Sequence, residues 1–136
     1  MKTHNTAVTK NSDEQIKQRL KKAKGILAEI DILVENKFWD STVDRLYFAC
    51  FHAVVALLAD IDIYTHTHDE LRQMFNLHFV KTGIVKEATG AFFSTLSDMW
   101  QVTEYEALVK YEETDVLPLI APSGSLIAVA ERILNR

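Results

Sequence analysis

Two side chains in the middle of an apolar stretch, Arg45 and His52, are of the types that handle phosphate and protons. An arginine presents a fixed cationic fork that matches phosphate oxygens. A histidine exchanges a proton near neutral pH. Together they are the parts that RNA cleavage without a metal requires: a group to activate the ribose 2′-OH and a cation to stabilise the pentavalent phosphorane. The same two residues also fit a structural arrangement, with Arg45 paired to a carboxylate of another helix and His52 hydrogen-bonded inside the core. On spacing alone that arrangement is ahead, because one Arg and one His form a motif of low specificity.

The element that carries them is the stretch 38–60, FWDSTVDRLYFACFHAVVALLAD, almost wholly apolar after Leu46 and free of Gly and Pro. It lacks period-2 alternation and far exceeds a strand in length, so it reads as a helix. A helix apolar nearly all round is a central, buried one. Arg45 and His52 lie almost two turns apart and so share a face. Ser41, Arg45, Ala49, His52 and Ala56 then form a polar-and-small stripe that leaves room for a ligand or for another helix.

Other chemistries fit less well. The four glycines form no phosphate-cradling loop, and there is no Gly-Lys-Ser or Gly-Lys-Thr. The Gly-x-Ser-x-Gly elbow of hydrolases is missing. So is the Glu-x-x-His pair of metal-binding bundles. His66, His68 and Asp69 resemble a metal cluster, but with only His78 as a further ligand they read as residues of a capping loop, and no metal or other cofactor is expected. The single cysteine, Cys50, sits in the apolar helix and reads as a buried thiol.

The chain of 136 residues suits one domain with a real core, and its 48% hydrophobic and 25% charged residues are ordinary for a soluble globular protein. Residues 1–12 are polar and aperiodic and are expected to be a mobile tail, with 13–136 a single helical domain. Ser12 followed by Asp13, Glu14 and Gln15 looks like a capping box that opens the first helix, which then runs through Ile16, Leu20, Ala23, Leu27, Ile30 and Val34 to about Asn36. The short turn that follows makes the first two helices antiparallel neighbours. Thr67 with Glu70 should cap a third helix that stops at Gly83. A fourth helix covers roughly 87–104, with Ala91, Phe92, Leu96 and Met99 or Trp100 inward. Pro118 and Pro122 should break any helix through 117–122. A last helix follows, capped by Ser123 or opened by Pro122. The expected fold is all-α: an antiparallel four-helix up-and-down bundle plus a short C-terminal helix.

Charge is uneven. Residues 1–24 carry seven Lys or Arg against two acidic residues, +5, which leaves −9 for the remainder of a chain whose formal charge is −4. A basic first helix could touch a phosphate backbone, although a solvated face is the commoner meaning of such spacing. The N-terminus has no apolar h-region, and the run Leu46–Ala59 is shorter than a membrane span. A cytoplasmic protein without a membrane partner is expected.

The stretch Asp44-Arg45-Leu46-Tyr47-Phe48-Ala49-Cys50-Phe51-His52-Ala53 resembles the signature of HEPN domains, the higher eukaryotes and prokaryotes nucleotide-binding family. The piece Met74–Gly83, ending Phe-Val-Lys-Thr-Gly, is similar to a later helix of that family. His66 or His68 and the pair Glu104-Tyr105 add to the likeness, which spans about residues 15–136. The resemblance implies a helical bundle, commonly a homodimer, and a metal-independent endoribonuclease of a toxin or defence type. Arg45 and His52 would be catalytic, and Ser41, Tyr47 and Ala49 would contact substrate. It equally covers a non-catalytic module that binds nucleotide or RNA, or the helical partner of a separate nucleotidyltransferase. Three positions depart from the family's pattern: Leu46 where active members are often polar, Val54 where the toxin branch has Tyr, and Trp100-Gln101 where an Arg usually precedes Asp-Tyr.

Overall fold

The computed structural model describes the backbone of residues 2–106 and 110–135, and side chains from Asp13 onward. The elements are α1 (Lys2–Ala28), α2 (Ile30–Glu35), α3 (Trp39–Asp60), α4 (His68–Phe75) with a π turn (Asn76–Val80), α5 (Glu87–Tyr105) and α6 (Glu113–Leu134). No strand occurs among the described residues, and the all-α expectation holds.

α3 is the axis of the fold. Twelve of its residues are buried, and α1 and α6 pack along it. The direction of α1 follows from two contacts. Glu29 meets Arg45, whereas Arg19, further back along α1, meets His52, further forward along α3. The two helices are therefore antiparallel, as the short turn between them requires. By length and composition α3 and α6 could each cross a membrane, but 67% of the apolar window of α3 is buried inside the bundle.

Several local signals act as their chemistry dictates. The Thr67 hydroxyl accepts from the Glu70 amide at 3.0 Å and caps α4. The Glu70 carboxylate reaches back to the amide of His66, one residue further than a standard capping box. Gly83 has φ +80° and ends the helical segment in a conformation that side chains with a Cβ resist. Gly90 admits a close approach: a Cβ there would stand 2.7 Å from a methyl of Val80.

Four expectations need correction. The helix does not start at Ser12, since α1 begins at Lys2; the side chain of Ser12 lies outside the described residues. Pro118 and Pro122 do not break the chain, because both sit inside α6, a helix of 22 residues and not a short one. Each proline removes one amide donor. The helix nonetheless continues, since Val116, Leu119, Ser123 and Leu126 bury one face across both prolines, and Glu112 with Asp115 forms a capping box at its start. Ser123 is accordingly mid-helix, its hydroxyl donating to the Leu119 carbonyl. In α5 the inward face is Gly90, Phe93, Leu96, Ser97 and Trp100, while Ala91 is exposed. Phe93 and Trp100 are buried in the monomer, while Phe38, Tyr64 and Tyr105 are exposed.

Candidate functional site

His52 lies on the α1 side of α3 and is 8% exposed. Its Nδ1 stands 2.9 Å from Nη1 of Arg19, an exposed residue of α1. A guanidinium can only donate, so Nδ1 must be the acceptor and the ring proton must sit on Nε2. Burial, then the positive charges of Arg19, Lys22 and Arg45, push the His52 imidazole down to about 4. At neutral pH the ring is uncharged. The Phe51 ring stands nearly perpendicular to it, with ring centroids 5.3 Å apart.

Arg45 lies at the other end of the stripe. It is half-buried, and its guanidinium meets the Glu29 carboxylate at 3.8 Å, a loose pair. With Ser41 it lines a groove of about 600 Å³ that also holds Glu29, Asp40, Asp44 and Glu104. Asp44 accepts from the indole N–H of Trp100, and Asp40 accepts from the amide of Tyr111. The structure thus brings Ser41 and Arg45 into one groove. His52 is not among the residues lining it.

A family model for the HEPN domain matches residues 16–135. The chain belongs to the HEPN domain family. A UPF0332 protein of Thermotoga maritima is 29% identical over 115 residues, covering 85% of this chain and 87% of the relative. A protein of Methanocaldococcus jannaschii named as a candidate toxin is 29% identical over 129 residues, 95% of this chain and 90% of the relative. A second candidate toxin of that organism is 27% identical over 105 residues, with 76% and 71% covered.

Two residues expected to contact substrate in this HEPN domain are sealed. Tyr47 and Ala49 have no exposed surface, so neither can touch a ligand in the monomer. Ala49 is small because other helices close on α3, the second of the two uses its stripe allowed. Tyr47 stacks on Trp100, with centroids 4.4 Å apart and planes 11° from parallel, and on Phe93 at 6.0 Å. Its hydroxyl is hydrogen-bonded to Nδ1 of His68, and burial raises its pKa well above the ordinary phenol range. His68 is in turn held 4.3 Å from the Trp100 ring centroid, and burial lowers its pKa. This Tyr47–His68–Trp100 unit ties α4 and α5 to α3, which makes His68, the first residue of α4, a packing residue.

Cys50 is fully buried and burial pushes its thiol up to about 12, so it is protonated and inert. Among the described residues no group of three His, Cys, Asp or Glu could hold a metal ion.

Sequence reasoning missed Arg19 as a partner of His52, though it counted Arg19 in the basic stretch. A signal was available. In two antiparallel helices joined by a short turn, residues roughly equidistant from the turn face one another, and Arg19 and His52 stand in that relation to the turn at 36–38.

Proposed function

We propose that this HEPN protein is a toxin-type endoribonuclease acting in the cytoplasm without a metal, in which His52 moves the proton and Arg45 holds the scissile phosphate. The observation that supports this most is the setting of His52: a nearly buried imidazole bonded to Arg19 of another helix, with the charges of Arg19, Lys22 and Arg45 all disfavouring its protonation. A phosphate in their midst would offset the mutual repulsion of Arg19, Lys22 and Arg45 and return the imidazole towards the range where it exchanges protons. In the reaction the ribose 2′-oxygen loses its proton to His52 and attacks phosphorus. The bond to the 5′-oxygen breaks, and that oxygen leaves with the proton that His52 has taken up. The products carry a 2′,3′-cyclic phosphate and a 5′-hydroxyl. Arg45 would leave its loose pair with Glu29 to neutralise the phosphorane.

The relatives named as candidate toxins support the same reading. A second reading rests on a specific observation: the lone pair that a base would use, at Nδ1, is engaged by Arg19. That arrangement suits a module that binds RNA or nucleotide without turnover, or that serves a separate nucleotidyltransferase.

Cleavage of a mixed-sequence RNA in the presence of chelator tests the proposal. Wild type should cleave, His52→Gln should lose about 10²–10⁴-fold in rate, as general acid–base help is worth, and Arg45→Ala should weaken RNA binding as well as rate. Binding by wild type without cleavage at any protein concentration would establish the second reading instead.

A further inference from the structure

Resting His52 is poorly set for the chemistry proposed for it. As a base it needs a free lone pair, and the only one on a neutral imidazole with its proton on Nε2 is at Nδ1. That nitrogen accepts from Arg19 at 2.9 Å. As an acid a neutral imidazole is far too weak at physiological pH. The contact is also unusual in kind, since an exposed arginine on one helix is spending a donor on a nearly buried imidazole of another. Arginine prefers planar anions, which it grips with two parallel N–H bonds.

Arg19 is placed to choose between the two. Its side chain lines a cavity of about 220 Å³ under the loop between α3 and α4, and it also lines an open face of α1 with Glu14, Gln15, Gln18 and Lys22, two cations against one carboxylate. A phosphate arriving on that face would meet the side chains of Lys22 and Arg19, which line it.

We propose that Arg19 is a positioning residue that latches His52 and that an incoming phosphate group opens the latch. The inference rests on the nuclease reading of His52, but the behaviour it describes can be measured without any cleavage. Phosphate oxygens take over the guanidinium and the Nη1–Nδ1 bond breaks. Nδ1 is released as an acceptor for the 2′-OH proton. The charged groups acting on the imidazole are Arg19 and Lys22 from α1 and Arg45 from α3. Neutralising the first of these raises the proton affinity of the ring at the moment it is needed. Without a bound anion the base is withheld, so the site is switched by occupancy and not by pH alone.

The test is the ring nitrogen spectrum of His52, followed by NMR across pH in wild type and in Arg19→Gln and Arg19→Lys, with and without a 2′-deoxy oligonucleotide. This probe offers phosphates and lacks the nucleophile. In free wild type the ring should be the Nε2–H form and titrate near 4. Adding the oligonucleotide should move the midpoint up by a unit or more and shift Nδ1 away from its hydrogen-bonded position. Free Arg19→Gln should already titrate higher than free wild type and respond less to the probe, while Arg19→Lys should keep much of the wild-type response. Because Arg19 is exposed, all three proteins should melt alike.

A wild-type ring that does not change on saturation with the probe, a probe that does not bind, or an Arg19→Gln response equal to wild type would each overturn the latch. Failure of the nuclease reading looks different: the latch responds to the probe, yet wild type cleaves no RNA. Conversely, RNA cleavage that needs His52 but has the same pH–rate profile in Arg19→Gln would retain the nuclease and remove the latch.

Discussion

Arg45 and His52 stand on one face of one helix, yet they occupy opposite electrostatic surroundings. His52 is nearly buried against α1 and feels only cations among the charges that shift it. Arg45 is half-buried in a groove with four carboxylates, Glu29, Asp40, Asp44 and Glu104. Two of these carboxylates are committed to Trp100 and Tyr111. If a polyanion binds as proposed, the cations of the α1 side would favour its approach, while the carboxylates of the groove would oppose it until Arg45 left Glu29. Shared helical face is a statement about direction, whereas burial and neighbours decide what each side chain can do.

The pH dependence of folding should reveal the cationic end most strongly. Burial and three cations hold the folded-state pKa of His52 at about 4, below its unfolded value. The folded protein therefore binds fewer protons than the unfolded chain between the two values. Stability from this group is fully present above about pH 6.5 and lost as pH falls towards 4. The loss is at most about 3 kcal/mol, at 1.36 kcal/mol per unit. Denaturant unfolding of wild type and His52→Gln at several pH values should show this component in the first and not in the second. An equal pH slope in both proteins would mean that His52 is not desolvated as described.

Salt is the next probe. If Arg19, Lys22 and Arg45 all meet the backbone of a single-stranded RNA, the slope of log K against log salt should be about −2, at roughly −0.7 per phosphate contact. Lys22→Gln should make that slope shallower by about 0.7. Ser41→Ala, in the groove, should leave it unchanged. A slope that responds to Ser41 and not to Lys22 would reverse the assignment of the two ends.

Much of the scaffold was legible because its signals are local. α3 announces itself by composition, Thr67 and Glu70 by capping chemistry, and Gly83 by its backbone freedom. Pro118 and Pro122 misled because a proline's local cost is visible in sequence, while the burial of Val116, Leu119, Ser123 and Leu126 that offsets it is a tertiary fact. The inward turn of Phe93 was missed, and Met99 left as an equal to Trp100, for a similar reason, since the rings of Phe93 and Trp100 pack on Tyr47 from a distant part of the chain. At the candidate site the residue types were readable and the partners were not. The structural pairing weighed for Arg45 is realised at Glu29, but the partner of His52 is a cation, which no rule of complementary charge would have nominated.

The smallest effect expected is that of Glu29→Gln, and it bears on the groove alone. The pair with Arg45 spans 3.8 Å between side chains that are 38% and 62% exposed. Exposed pairs of this kind contribute about 0–1 kcal/mol, and this one is longer than a good charge-assisted hydrogen bond. Stability should therefore change by no more than about 0.5 kcal/mol. Removing the carboxylate, however, deletes a repulsive charge and frees the guanidinium at the same time. RNA affinity should rise severalfold at low salt and return to the wild-type value at high salt, as screening requires. Paired titrations of wild type and Glu29→Gln at two salt concentrations decide the matter. A gain that persists at high salt would point to a new direct contact made by the amide. No gain at either salt concentration would mean that phosphate never reaches Arg45, and the groove would then have no part in binding RNA.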